Sequence, residues 1–280
     1  MTRVAAIQMV STAHPLDNLA RMRHWVARAA QEGAQMVVLP EYFCLMGHRD
    51  TDKLAIAEPA WQGPQDPDIN LQPMQAELVH AARAAGVWLI AGTLPVQSAD
   101  PARVLNTMMV ISPAGQWVSR YDKLHLFAFD NGEERYDEAR TISPGVAPVA
   151  CATPVGRTAL SVCYDIRFPE FYRALGRPSP LDLIVVSAAF TFPTGKAHWE
   201  VLLRARAIEN QCWLVASAQG GLHESGRRTW GHSMVINPWG DVVASLPEGE
   251  GMVIADIDPA QTRKVRLNLP ALQHQIVSLP

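Results

Sequence analysis

Short apolar runs rich in β-branched residues recur along the whole chain, and several lack polar alternation. They are VAAIQM (Val4–Met9), MVVLP (Met36–Pro40), VWLIAGT (Val87–Thr93) and TALSVC (Thr158–Cys163). LDLIVVSAA (Leu181–Ala189), CWLVASA (Cys212–Ala218), HSMVINP (His232–Pro238) and GMVIADI (Gly251–Ile257) follow. A strand with one wet face alternates apolar and polar residues, whereas an unbroken apolar strand is covered on both faces. Between some of these runs lie helical patterns. Leu16–Glu32 places Leu19, Met22, Trp25 and Val26 at helical spacing, and Pro73–Ala85 and His198–Asn210 read the same way. Asn106–Gly115 followed by Trp117–Arg120 reads as a hairpin. Strands alternating with helices define an α/β fold with layered sheets.

The 280 residues carry no linker, fixed-period repeat or low-complexity tract, so residues 1–280 are expected to form one domain. A chain of this length buries a sizeable core without needing disulfides or metals. The formal charge is −3 and no basic patch stands out, which argues against nucleic acid and leaves a small molecule as the expected partner. The longest apolar stretches, such as Leu183–Phe190, are too short to span a bilayer, so no membrane role is expected. The four cysteines Cys44, Cys151, Cys163 and Cys212 form no C-x-x-C pair. Together with an N-terminus that reads as a strand and not a signal peptide, they predict a cytoplasmic protein with free thiols. His125, His198, His223 and His232 lack metal-ligand spacing, so neither metal nor cofactor is expected.

Two Pro-rich or acidic stretches, Glu58–Pro73 and Phe127–Pro148, read as long loops, and long loops in compact domains are often functional. Cys163 ends an apolar strand and precedes Phe168–Leu175, a helical stretch after Pro169. Helix-terminal N–H groups there favour thiolate and later an oxyanion, although a buried inert thiol is the commoner state of cysteine. Glu41, directly after Met36–Pro40, is placed to be a half-buried general base or merely a solvated loop residue. Lys123, in RYDKLHLF, could donate to an oxyanion or snorkel to solvent.

Taken in order, AAIQM (Ala5–Met9), VVLPEYF (Val37–Phe43), YDKLHLF (Tyr121–Phe127) and SVCYDIRFPE (Ser161–Glu170) resemble the nitrilase, or carbon–nitrogen hydrolase, superfamily. AHWEVLLRARAIENQ (Ala197–Gln211) and GHSMVINPWG (Gly231–Gly240) extend the resemblance over nearly the whole chain. It implies a four-layer α-β-β-α sandwich and a Glu41–Lys123–Cys163 triad. It also implies a further active-site glutamate before an S-P-G turn, here Glu138, with Glu133 and Glu134 as competing neighbours. In the implied mechanism Glu41 takes the Cys163 proton and the thiolate attacks an amide. Lys123 and the backbone N–H of Tyr164 stabilise the oxyanion, and the acyl-thioester is hydrolysed after ammonia leaves.

Within the superfamily the wording leans toward amidases of deaminated glutathione. An omega-amidase acting on 2-oxoglutaramate, a nitrile or N-carbamoyl hydrolase, and a catalytically silent binding protein are the alternatives. A redox sensor built on Cys163 is a further one, without an identifiable resolving cysteine. Arg167, Arg204 and Arg206 are candidates for a substrate carboxylate or for internal ion pairs. The apolar tail Leu267–Pro280 predicts a homodimer or larger oligomer, or else a tail packed on its own subunit.

Overall fold

The unbroken apolar runs become the central strands of two stacked sheets. The structure, a computed structural model, describes residues 1–132 and 135–277. Glu133 and Glu134, and the last three residues of the predicted interface tail, lie outside the described residues. The first half supplies β1 (Thr2–Gln8), α1 (Pro15–Gln31), β2 (Met36–Val38), α2 (Pro73–Ala85), β3 (Trp88–Ile90), β4 (Leu94–Gln97), β5 (Val104–Ile111) and β6 (Trp117–Asp122). A two-stranded ribbon, β7 (Ala128–Asp130) with β8 (Arg135–Asp137), lies within the second long loop. Then come β9 (Val149–Thr153), β10 (Gly156–Val162), α3 (Pro169–Gly176), β11 (Leu183–Ala188), α4 (Phe192–Asn210) and β12 (Trp213–Ala218). The chain closes with β13 (Gly220–Leu222), β14 (Arg228–Trp230), β15 (Ser233–Ile236), β16 (Val242–Leu246), β17 (Gly251–Ile257) and α5 (Pro259–Asn268).

One sheet has the order β17-β1-β2-β3-β5-β4 with β6 on β5, and the other β16-β15-β12-β11-β10-β9. Alternate residues of β1 show why these strands carry no polar face. Val4 and Ala6 enter the core between the two sheets, while Ala5 and Ile7 enter the core under α1 and α2. Phe171 and Tyr172 of α3 and Trp199 and Leu203 of α4 cover the second sheet, completing the α-β-β-α sandwich. Fully burying one such apolar side chain is worth about 1.5–3 kcal/mol, so two-sided burial of the strands is the main cohesive term.

The centres of both sheets are parallel: β1, β2 and β3 in one, β10, β11 and β12 in the other. Parallel strands deliver their C-terminal ends to one edge, and here the two edges are stitched together. The Ser187 hydroxyl donates to the Leu39 carbonyl at 2.7 Å, and Gln219 Nε2 donates to the Glu41 carbonyl at 3.0 Å. Among the described residues no helix is long and apolar enough to cross a membrane.

Candidate active site

Glu41 leaves β2 at this shared edge. The turn is tight: a Cβ on Gly92 would lie 2.1 Å from the Pro40 carbonyl oxygen, so only glycine permits the approach. Tyr42, next to it, has φ +55° and is held by its N–H donating to Thr93 Oγ1 at 2.9 Å. Cys163 follows β10 with φ +48°, also in the left-handed region that costs a non-glycine residue energy. It opens a short 3₁₀ turn, Cys163–Arg167, with α3 beginning beyond it at Pro169. The first N–H groups of such a turn, Tyr164 among them, have no partner one turn back.

The segment carrying Lys123, just past β6, is tied to that turn by Asp165. Its fully buried carboxylate accepts from the Tyr121 hydroxyl at 2.7 Å, the Val162 N–H at 2.8 Å and the His125 N–H at 3.2 Å. His125 Nδ1 lies 2.7 Å from the same carboxylate while its ring stacks on Phe168 at 3.7 Å. His125 is therefore a structural residue.

Lys123 has no exposed surface, and its Nζ donates to Glu41 Oε1 at 2.9 Å and to Glu138 Oε1 at 2.9 Å. Burial alone would push its ammonium down, but the carboxylates of Glu138 and Glu41 outweigh this and raise it, so it stays charged. Glu138 begins a short turn after β8 and also accepts from the Tyr42 hydroxyl at 3.1 Å and the Phe127 N–H at 2.7 Å. Burial opposes its charge, yet Lys123 prevails and holds the carboxyl below its usual value. Glu41 Oε1 takes a further bond from Asn106 Nδ2 at 2.9 Å, and Oε2 takes one from the Ala189 N–H at 2.8 Å. It is fully buried, not the half-buried residue its place in the sequence suggested, because the second sheet's edge closes over it.

Glu41, Glu138, Cys163 and Tyr164 line one small pocket, together with Phe127, Ala189, Phe190, Thr191, Thr194 and Arg227. The four side chains singled out in the sequence therefore meet, with Lys123 bridging the two acids from below. One expectation needs correction: the site does not favour resting thiolate. Burial, then the Glu41 and Glu138 carboxylates, push the Cys163 thiol well above its ordinary value, with Lys123 pulling only partly the other way. The thiol keeps its proton until a base removes it.

The arginines flagged in the sequence do not line this pocket. Arg206 donates to the Ile166 carbonyl and pairs with Glu209, and Arg204 donates to the Gly240 carbonyl. Arg167 packs between the Phe190 and Tyr164 rings and contacts His198. Arg227, which the sequence reading passed over, does line it. His223 is buried between the Ser11 carbonyl and Thr229 Oγ1, and burial pushes it down to about 4, a neutral core histidine. Among the described residues no cluster of His, Cys, Asp or Glu is arranged to hold a metal ion.

The fold carries one small cysteine-bearing pocket, and residues 3–267 match the carbon-nitrogen hydrolase family, which places the chain among hydrolases of carbon–nitrogen bonds. The chain belongs to that family, within the nitrilase superfamily. It is 40% identical over 276 residues to a deaminated glutathione amidase of Synechocystis, covering 97% of both chains. It is 37% identical to the human protein of the same description, covering 97% of this chain and 81% of that one. Among solved structures, the nitrilase–fragile-histidine-triad fusion of C. elegans superposes with a TM-score of 0.88 at 34% identity. The match covers 98% of this chain and 65% of the fusion. Yeast Nit3, described as a member of branch 10 of the nitrilase superfamily, gives 0.86 at 26% identity, covering 99% and 97%.

Proposed function

We propose that the chain is an amidase acting through a Cys163 acyl-thioester, with deaminated glutathione as its substrate. The observation that carries the chemistry is the convergence of Glu41, Lys123, Glu138 and Cys163 from four separate segments around one small pocket. The substrate rests on the shared description of relatives aligned over nearly the full chain.

In this mechanism Glu41 takes the thiol proton as the sulfur attacks the amide carbon, forming the C–S bond. Charge that develops on the carbonyl oxygen is met by the Lys123 ammonium and the Tyr164 N–H. Collapse breaks the C–N bond, and Glu41 returns the proton to the departing amine. It then takes a proton from water as hydroxide attacks the thioester, the C–S bond breaks, and Glu41 returns that proton to the departing Cys163 sulfur. Glu138 holds Lys123 charged and orients it with Tyr42. A primary amide releases ammonia. Deaminated glutathione, hydrolysed at its 2-oxoglutaryl amide, instead releases cysteinylglycine, so 2-oxoglutarate and the dipeptide are the products to follow.

The test compares kcat/KM on deaminated glutathione, 2-oxoglutaramate, a nitrile and an N-carbamoyl amino acid. Deaminated glutathione is expected to lead, with an acylated Cys163 peptide trapped by mass spectrometry and no turnover in Cys163→Ala. A lead for 2-oxoglutaramate would make the chain an omega-amidase, and turnover by Cys163→Ala would refute the nucleophile.

We also propose that this is a cytoplasmic single-domain enzyme that self-associates through its C-terminal tail. All four cysteines are free, and Leu267, Leu269, Ile276 and Val277 stand exposed on the single chain. Sedimentation of the chain with and without residues 270–280 tests the association.

A further inference from the structure

A cavity of about 220 Å³ lies beside the nucleophile pocket, bordered by Tyr42, Met46, Lys53, Tyr136 and Arg227 among others. Arg227 borders both spaces, so its guanidinium belongs to the wall they share. Its partners are weak for a buried cation. Nη1 contacts the Met46 thioether at 3.9 Å, Nη2 donates to the Ala189 carbonyl at 3.1 Å, and the buried Nε has no partner. A guanidinium carries five N–H donors, and a thioether is a poor acceptor. Lys53 is no better served: it donates to Thr141 Oγ1 at 3.3 Å and sits 5.4 Å over the Tyr42 ring. Among the described residues neither cation makes an ion pair, although Arg206 and Lys123 do. Burial pushes the Lys53 ammonium down, with Asp50 and Glu138 offsetting only part of that, a remaining cost that an incoming anion would offset.

We propose that Arg227, assisted by Lys53, is the specificity-determining subsite for the carboxylate at the acyl end of the substrate. The inference rests on the amidase reading and adds what selects the amide. A planar guanidinium fork matches a carboxylate in bidentate fashion, and a nearby lysine adds a point charge. The acyl end is assigned because Arg227 lines the pocket that holds the thiol. In deaminated glutathione the 2-oxo acid carboxylate lies fewer bonds from the scissile carbonyl than the glycine carboxylate does.

The test measures kcat/KM of wild type, Arg227→Met, Arg227→Lys and Lys53→Met on deaminated glutathione, 2-oxoglutaramate and hexanamide, which has no carboxylate. Loss of hydrogen bonds to a charged group predicts a drop of roughly 10- to 100-fold for Arg227→Met on both carboxylated amides, mainly in KM. The preference for 2-oxoglutaramate over hexanamide collapses with it, and Arg227→Lys restores part. An equal loss on hexanamide would make Arg227 a structural residue and overturn the proposal. So would a loss on deaminated glutathione alone, which would assign Arg227 to the glycine end. If wild type ignores deaminated glutathione while Arg227→Met still loses its preference for 2-oxoglutaramate, the subsite stands and the named substrate falls. If wild type cleaves deaminated glutathione and Arg227→Met does so equally well, the substrate stands and the subsite falls. Should Arg227→Met not fold, calorimetric titration of Cys163→Ala with 2-oxoglutarate, with and without Lys53→Met, decides. About tenfold weaker binding supports the subsite, and unchanged binding refutes it.

Discussion

Lys123→Met should show how the buried charges are balanced. The side chain is fully enclosed, and its Nζ lies 2.9 Å from Glu41 Oε1 and 2.8 Å from Glu138 Oε2. Removing one partner of a buried pair costs about 3–5 kcal/mol, because the remaining charge stays buried. Here Glu41 keeps the Asn106 and Ala189 donors, and Glu138 keeps Tyr42 and Phe127. The lower end, about 3 kcal/mol, is therefore expected, equivalent to a fall in Tm of about 5 °C for a chain of 280 residues. The sign with pH follows from the shifts. In wild type, Glu138 is held below its ordinary 4.5, so its stabilisation is present above that value and lost as pH falls through the folded pKa. Lys123 is raised above 10.5, so its share is present below that value and lost only as pH rises through the folded pKa. Without Lys123 the buried Glu138 loses the charge that holds its carboxyl low, so burial raises its folded pKa. The variant's deficit should then be larger at pH 8 than at pH 5, where Glu138 takes up a proton more readily and its buried charge is relieved. Thermal melts at both pH values, with kcat down roughly 10²–10³-fold, are the readouts. A variant that melts within a degree of wild type at both pH values would refute the assignment of Lys123 as the ion holding the site together.

Three further outcomes follow from the same geometry. Because burial and two carboxylates raise the Cys163 thiol, alkylation by iodoacetamide at pH 7 should be slower than that of a free thiol and should accelerate with pH; fast labelling at pH 6 would contradict a protonated resting nucleophile. Asp165→Asn turns an acceptor of several N–H and O–H groups into a partial donor, for a loss of about 1.5–3 kcal/mol by denaturant titration. Since Asp165 joins the Lys123 segment to the Cys163 turn, kcat should fall with it, and an unaffected kcat would sever that link. Gly92→Ala would place a methyl group 2.1 Å from the Pro40 oxygen, one residue from Glu41; it should lose most of its activity, measured as product release, even where circular dichroism shows a folded chain.

What the sequence could convey about the fold divides along burial. β1, β2, β10, β11 and β12 were legible because they are covered on both faces and so are apolar throughout. Of the strands without an unbroken apolar run, β4, β9 and β16 end the sheet paths, with Pro95 of β4 tolerated at an edge, while β7, β8, β13 and β14 form two short separate ribbons. The start of α4 was hidden by a different conflict. Its helical pattern is readable only from His198, yet the helix begins at Phe192 and runs through Gly195. A Cβ on Gly195 would lie 2.3 Å from the Trp230 Cβ, so this glycine serves the close packing of β14 against the helix and does not break it.

The site divides in the same way, now by how each residue acts. Glu41, Lys123 and Cys163 sit at strand ends within distinctive local wording, so a short window suffices to find each one. Asn106, Asp165 and Arg227 act mainly through contacts with residues far away in sequence. Asn106 offered one hint, since asparagine is uncommon inside strands and a buried one needs a partner, here Glu41. Arg227 offered none. It lies in a polar Gly-containing turn beside Arg228, and the two look alike in sequence. The fold separates them: Arg228 turns outward to an exposed pair with Glu248, while Arg227 reaches back under the β7–β8 ribbon toward Tyr136 and the nucleophile pocket. On the proposed mechanism the reacting residues are readable from local segments, whereas on the proposed subsite substrate selection would depend on which of two adjacent arginines the β13–β14 hairpin directs inward.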